Sequence, residues 1–305
     1  MSAAAPSVAA IVLNYNGREV TLQALASLSA LDYPSLQLVV VDNGSSDGSY
    51  EAIARAFPAV QQLRTEVNLG PAGGATLGMR WAMAQGFDYL LVLNNDIEVA
   101  PDFLSRLVEV AERAPEIGIV GPKSYYFWDR GRIWSAGGKL RFGEAVTRER
   151  GEGRLDHGQF DRDREVDYVN GCAMLIKRAV VEAVGYWDPI FQLCFEDADF
   201  CYRARQHGFR CFYAHRAKLW HMVSVSTGGY KPAKTFHSAR STAVFLRRYA
   251  RPWHWPGAAL AIAAAIPAAF VRELVKGNQA AVLAKVRGYR EGFRLALSPP
   301  PRYEG

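Results

Sequence analysis

The chain has 305 residues, 50% hydrophobic, 22% charged and 12% aromatic, with a net charge of +6. This is globular composition, with apolar material for one large core or for a domain plus an appendage, and it excludes a disordered or low-complexity chain. The charge is divided unevenly: residues 216–305 carry 15 Lys or Arg against 3 Glu and no Asp, a balance of +12, leaving −6 for residues 1–215.

Residues 8–13 form an almost continuous apolar run of strand length that ends in Asn14-Tyr15-Asn16-Gly17, and Val20, Leu22, Leu25 and Leu28 then recur at helical spacing. A second strand at 36–41 ends in Asp42-Asn43-Gly44-Ser45-Ser46-Asp47-Gly48, with a helix from near Ser49. A weaker third strand at 60–63 is closed by Asn68-Leu69-Gly70-Pro71-Ala72-Gly73-Gly74, a helix follows at 75–85, and a fourth strand at 89–93 runs into Asn94-Asn95-Asp96. This alternation predicts right-handed βαβ crossovers and an α/β fold with a Rossmann-like, mostly parallel central sheet flanked by helices. Its carboxyl edge is then lined by Asn16, Asp42, Asp47, Asn68 and Asp96, where open α/β sheets hold ligands.

A carboxylate at the end of the second strand suits a ribose or a base imide, which points to a nucleotide. Asn94-Asn95-Asp96 reads either as an Asx turn closing a strand or as a carboxylate that holds a divalent cation with open positions for phosphates. No GxGxxG follows the first strand and no GxxxxGK[ST] occurs, so the ordinary dinucleotide and P-loop readings weaken.

Residues 125–167 are irregular, and the charged run at 148–164 reads as a mobile segment closing over substrates or as a solvated insertion. A buried strand resumes at 169–176, with Gly171 suited to close backbone approach, and 178–184 is helical. Glu196, Asp197 and Asp199 then open a helix, where capping accounts for one or two carboxylates; Asp199 is spaced to pair with Arg203. A strand at 209–213 precedes His221, which sits among apolar neighbours as a core histidine or a ligand. Beyond it, Lys231, Lys234 and Arg240 form a solvated basic face or meet phosphate.

Cys172, Cys194, Cys201 and Cys211 contain no CxxC pair and have mostly apolar or aromatic neighbours, so they read as buried thiols in a reducing compartment. Residues 1–6 lack the features of a signal peptide, which places the amino-terminal body in the cytoplasm. In the tail, Trp253 and Trp255 stand beside Arg251 and precede an apolar run at 257–271 that contains Pro267. Its 15 residues fall short of the roughly 20 that span a bilayer. An interfacial or re-entrant helix on an anionic membrane surface fits, a core helix is the alternative, and nucleic acid fits less well. The expected division is a body at 1–249 and a basic, amphipathic helical extension at 250–305.

Taken together, Ile11-Val12-Leu13-Asn14-Tyr15-Asn16-Gly17, Val40-Val41-Asp42-Asn43-Gly44-Ser45-Ser46-Asp47-Gly48, Asn68-Leu69-Gly70 with Gly73-Gly74, and Leu93-Asn94-Asn95-Asp96 resemble the nucleotide-sugar half of inverting family 2 glycosyltransferases with the GT-A fold. The rhamnosyltransferase-like branch is the most similar, over about the first 250 residues; Pro71 and Thr76 stand where an aromatic residue and an Asn are usual. The resemblance implies a donor site of Asn14, Asn16, Asp42, Asn68, Gly70, Gly74, Asn95 and Asp96, with Asp42 on a pyrimidine base. It implies Mg2+ or Mn2+ held by Asp96 and His221, Asp197 as general base, and Gly171 and Glu196 on the acceptor side. The partners implied are a dTDP- or UDP-linked donor of a sugar such as rhamnose and a glycan or lipid-linked acceptor; the basic, aromatic tail would hold the chain at the inner face of the plasma membrane, and a homodimer is a further expectation. A sugar-phosphate nucleotidyltransferase is a rival, but residues 14–18 lack its Gly-rich, basic loop. A non-catalytic nucleotide-sugar-binding scaffold is another.

Overall fold

The computed structural model describes residues 4–144, 146–223, 231–275 and 278–304. Its first half alternates as read from the sequence: β1 (Val8–Asn14), α1 (Arg18–Ser29), β2 (Leu36–Asp42), α2 (Ser49–Ala56), β3 (Gln61–Arg64), α3 (Gly70–Gln85) and β4 (Tyr89–Asn94), then β5 (Ile97–Val99) and α4 (Phe103–Ala111). The order β3-β2-β1-β4 is parallel throughout. β1 and β4 are covered on both faces, which is why their sequences are unbroken apolar runs rather than alternating ones. Ile11, Met79 and Val92 pack on the α3 side; Val12, Leu25, Leu28 and Phe103 pack on the α1 and α4 side.

α3 begins at Gly70, five residues before the expected start at Ala75. Pro71 suits a first helical turn because its missing N–H has no partner to lose there. The glycines that suggested a loop serve packing: a Cβ at Gly78 would lie 2.3 Å from Ile11 Cγ2, and one at Gly74 would lie 3.1 Å from Asn43 Nδ2.

The second half adds β6 (Ile117–Tyr126), β7 (Asp129–Ser135), β8 (Gly138–Arg141), β9 (Val146–Glu149), β10 (Arg164–Val166), β11 (Ala173–Lys177), α5 (Arg178–Val184), α6 (Glu196–Gln206) and β12 (Arg210–His221). β11 lies antiparallel between β4 and β6, and β12 runs parallel to β6, so the sheet is mixed and continues as β4-β11-β6-β12-β10. β12 extends eight residues past the strand expected at 209–213. Its register against β6 shifts between Ala214 and Lys218, and such a bulge breaks the apolar alternation without ending the strand. The extension matters because it carries His221 to the edge occupied by β5, where His221 pairs with Ile97.

The segment read as mobile or solvated at 148–164 is tied down. Lys123, almost fully buried, meets Asp156 at 2.7 Å and also Asp161, and Tyr125 donates to Asp156 at 2.6 Å. Asp163 accepts from His215 N–H at 2.8 Å and pairs with Arg113 at 2.7 Å.

At the carboxyl end come α7 (Pro232–Tyr249), a 3-10 turn (Pro252–His254), α8 (Trp255–Val275) and α9 (Gln279–Arg294). α9 returns along α7 at close range: a Cβ at Gly288 or Gly292 would lie 2.3 or 2.4 Å from the carbonyl oxygen of Phe236 or Arg240. Arg240, one of the cations considered for phosphate, donates instead to Glu291 and to the Ile190 carbonyl, and is consumed in this packing. Residues 298–303 also reach the body, where Arg248 donates to Ser298 O and Tyr303 packs edge-on to Tyr186. Within 250–305, α8 turns Leu260, Phe270 and Val271 outward, and Trp253 before it and Leu283 and Val286 of α9 are exposed as well. Residues 252–271 are apolar and long enough to cross a membrane by length and composition, and are mostly exposed rather than packed as a core helix. The helix outruns the 15-residue apolar stretch and includes Pro267 in its interior.

Candidate active site

The turn after β4 places Asp96 under the end of β12. Asp96 is buried, its carbonyl accepts from Met222 N–H at 2.9 Å, and its Oδ1 lies 3.1 Å from His221 Nε2. Trp134 packs edge-on against the imidazole, ring centroids 4.5 Å apart, while the buried His221 Nδ1 has no partner among the described residues.

The start of α6 supplies another part of the lining. Cys194 and Phe195 both adopt left-handed φ values, 70° and 73°, which are strained for residues with a Cβ and typical of functional turns. The turn presents Glu196 and Asp197 at the mouth of the helix. Asp197 Oδ2 accepts from Gly171 N–H at 2.8 Å and Oδ1 from Ala198 N–H at 2.7 Å. A Cβ at Gly171 would sit 3.3 to 3.4 Å from Trp187 and Asp197, so a bare backbone fits this contact best. Burial pushes the Asp197 carboxyl up to about 6, the Gly171 amide opposes that, and the charge of Glu149 adds to it. Burial and the charge of Asp197 push Glu196 higher, to about 8, and its Oε2 has no hydrogen-bond partner among the described residues.

Asp96, Gly171, Glu196, Asp197 and His221 all line one cavity of about 330 Å³. The same cavity holds Glu149, which no sequence signal distinguished from the charged run around it. Glu149 accepts from Tyr168 Oη at 2.8 Å, from Asn170 Nδ2 at 2.9 Å, and from Ser135 Oγ. Trp134 and Trp187 also face it and were likewise missed. Asp199, by contrast, is fully buried between Arg203 at 2.8 Å, Tyr249 Oη at 2.6 Å and Arg248 at 3.4 Å; it is a fastening between α6 and α7.

The ends of β1 and β2 are built differently. Asn14 Nδ2 donates to Asp42 Oδ1 at 3.1 Å and Ser45 Oγ at 3.2 Å, and Asn14 Oδ1 accepts from Thr21 at 2.8 Å and Asn95 Nδ2 at 3.2 Å. Asn14 and Asn95 therefore spend these amide bonds inside the protein, and Asn94 is the neighbour that lines the cavity. Asp42 is fully buried, with Oδ2 3.3 Å from Arg64 Nε, and it does not line the cavity with Asp197. The contact is an ion pair by distance although its angles do not make a hydrogen bond. Beside Arg64 opens a separate cleft of about 410 Å³, walled by Gly44, Ser45, Thr65 and Glu66. Asn16, at φ 49°, accepts from Ser46 N–H at 2.8 Å; Asn68 accepts from Gly70 N–H at 2.8 Å and Asn43 Nδ2 at 3.0 Å. Gly70, at φ 73°, abuts the Gln192 carbonyl, and Gly74 abuts Asn43. Residues 224–229, the Ser/Gly-rich stretch after His221, lie outside the described residues.

Asp96 and His221 suit a divalent cation. Adjacent ligands of an octahedral ion at ~2.1 Å stand about 3 Å apart, close to the 3.1 Å between Asp96 Oδ1 and His221 Nε2. Mixed oxygen and nitrogen donors suit Mn2+ better than Mg2+, which prefers oxygen alone. Among the described residues no third acidic, His or Cys ligand joins them, which leaves positions for substrate oxygens.

The comparisons with known proteins agree with this architecture. Residues 5–248 match the family described as "Glycosyltransferase like family 2". The chain is 26% identical over 254 residues to the N-acetylglucosaminyl-diphospho-decaprenol L-rhamnosyltransferase of Mycobacterium tuberculosis, covering 76% of this chain and 81% of that one. It is 23% identical to the poly-beta-1,6-N-acetyl-D-glucosamine synthase of Staphylococcus epidermidis, over 79% of this chain and 55% of that one. Among solved structures, the mannosyltransferase PcManGT from Pyrobaculum calidifontis, in complex with GDP-Man and Mn2+, superimposes with a TM-score of 0.60 at 18% identity, over 95% of this chain and 89% of that one. GalNAc-T7 with UDP, GalNAc and Mn2+ gives 0.61 at 16% identity, over 78% of this chain and 48% of that one. These likenesses establish the GT-A fold expected from the sequence, and the match along most of its length makes this chain a member of the family 2 glycosyltransferases.

Proposed function

We propose that the chain transfers a sugar, L-rhamnose by analogy with its mycobacterial relative, from a dTDP- or UDP-linked donor to a hydroxyl of a lipid-linked glycan, by one inverting displacement. The observation that supports this most is that Asp197 and the Asp96–His221 pair line one cavity. Each Asp197 oxygen is held by one backbone N–H and keeps a lone pair for an incoming hydroxyl. Raised to about 6, its carboxylate remains ionised at neutral pH and is more basic than an ordinary one, which suits a general base.

Asp197 takes the acceptor proton as the oxygen attacks the anomeric carbon opposite the departing diphosphate; a single attack inverts that carbon and forms no glycosyl-enzyme. Asp96 and His221 would hold Mg2+ or Mn2+, which when bound offsets negative charge on the leaving diphosphate. Gly171 and Glu196 border the acceptor. Asp42 reads the pyrimidine base from behind Arg64, which walls the second cleft, with Asn16, Asn68 and Gly70 shaping the loops around it and Asn14, Asn95 and Gly74 supporting them. That recognition requires Arg64, which covers Asp42 and lies over the Tyr50 ring at 4.8 Å, to turn aside or join the contact.

The basic tail and the exposed apolar side of α8 would seat the enzyme on the anionic inner face of the plasma membrane, with the 1–249 body in the cytoplasm. Product analysis with dTDP-rhamnose and UDP-sugars, run with Mn2+ and with chelator, tests the reading. Metal-dependent transfer with inversion is expected; a retained anomeric configuration or donor-independent activity overturns it.

A further inference from the structure

A second cavity, about 450 Å³, lies between α7, α8, α9 and the turn joining β8 to β9. Cys194, Lys234 and Ser238 wall both this space and the catalytic cavity, so the two adjoin. Its far wall is α8, where Ala261, Ile262 and Ala265 face the space while Leu260, Phe270 and Val271 face outward. The alanine side chains on this wall fill little of the space between the helices. Lys234 and Lys285 bring two positive charges to the wall. Among the described residues that wall it, the carboxylate is Glu144, which is bound by Arg141 at 2.7 Å and Arg148 at 3.0 Å.

Three kinds of surface therefore follow one another along a continuous path: the carboxylate Asp197, then lysines, then the aliphatic side of an outward-facing apolar helix. A molecule carrying a hydroxyl, a phosphate and a hydrocarbon chain in that order matches the path at each point. We propose that this second cavity seats the phosphate and the first part of the hydrocarbon chain of the acceptor lipid. The inference rests on the lipid-linked acceptor proposed above and adds where the lipid enters and what holds it.

The full-length protein, reconstituted in vesicles, is assayed with N-acetylglucosaminyl diphosphate bearing an undecyl chain and with the same compound bearing a methyl group. Each methylene removed from water contributes ~0.8 kcal/mol, so seating even two of them favours the undecyl acceptor by about tenfold or more in KM. Ala265→Trp, which fills the space, should collapse that preference to about twofold, and Ala261→Phe provides a second filling in case the first does not fold. In the wild-type protein dodecyl phosphate should compete with the acceptor, whereas dodecyl maltoside and inorganic phosphate should not. A preference that survives both fillings, or equal inhibition by inorganic phosphate, overturns the lipid seat. Transfer to both acceptors without preference also overturns it and leaves the proposed reaction standing. Transfer to neither, with the donor still bound, overturns the proposed acceptor itself.

Discussion

The two halves of the carboxyl edge of the sheet hold polar groups in opposite ways. At the ends of β1 and β2, the side chains of Asn14, Thr21, Ser45 and Asn95 bond one another inside the protein and hold Asp42 by its Oδ1, leaving Asp42 Oδ2, among the described residues, with Arg64 alone at 3.3 Å. Across the cavity, Asp197 and Glu196 are pushed upward by burial, and Glu196 Oε2 and His221 Nδ1 lack partners among the described residues. A network of amides and hydroxyls bonded to one another suits recognition by shape, with one carboxylate oxygen of Asp42 left for a ligand, whereas carboxylates raised by burial suit proton transfer. The same contrast is repeated within one turn of α6, where Asp197 faces the cavity and Asp199 is enclosed by two arginines and a tyrosine.

The sharpest way to break this comparison is to neutralise each of those two aspartates. Asp197→Asn should lower kcat by about 10³ while thermal stability and donor affinity, read by calorimetry, stay near the parent's. Asp199→Asn should do the reverse: removing one partner of a buried ion pair costs about 3–5 kcal/mol, visible as a lower denaturation midpoint with kcat preserved in the folded fraction. If the two phenotypes were exchanged, the assignment of chemistry and fastening along α6 would be wrong. On the other half of the edge, Asp42→Asn should act on binding alone, raising the donor KM by about tenfold with little change in kcat. A fall in kcat with KM unchanged would place Asp42 in the reaction instead.

This division also explains what could be read from the sequence. β1 and β4 were legible because doubly covered parallel strands have uninterrupted apolar sequences, and β2 and β3 because the loops after them concentrate Asn, Asp and Gly. The start of α3 was not, since Gly70, Gly73 and Gly74 signal a loop by composition, while here the latter two permit close packing. The far end of β12 was hidden by its register shift, so His221 was found by position in a motif rather than as a strand residue. Glu149 was illegible for another reason: its partners Tyr168, Asn170 and Ser135 lie 14 to 21 residues away, and a carboxylate in a charged run looks solvated until those contacts form. The aspartates of 196–199 were recognised as a group, but only the spacing of Asp199 to Arg203 hinted at which one was structural.

The smallest effect tests whether the catalytic half really carries charge at a cost. Glu196 is pushed up to about 8, first by burial and then by the charge of Asp197. Below the unfolded carboxyl value of about 4.3, both states are protonated and the group contributes no pH dependence. Between that value and about 8 the native state keeps a proton that the unfolded chain has released, so native stability falls as pH rises. Glu196→Gln removes this term: its stability relative to the parent should be pH-independent near pH 4, grow through neutrality and level off above pH 8. The gain is measurable by denaturant titration at successive pH values. Combining it with Asp197→Asn should shrink the gain, since one source of the raised value is gone. A difference that stayed flat across the range would mean that Glu196 ionises freely in the folded protein, and the contrast between the two halves of the edge would then rest on Asp197 and His221 alone.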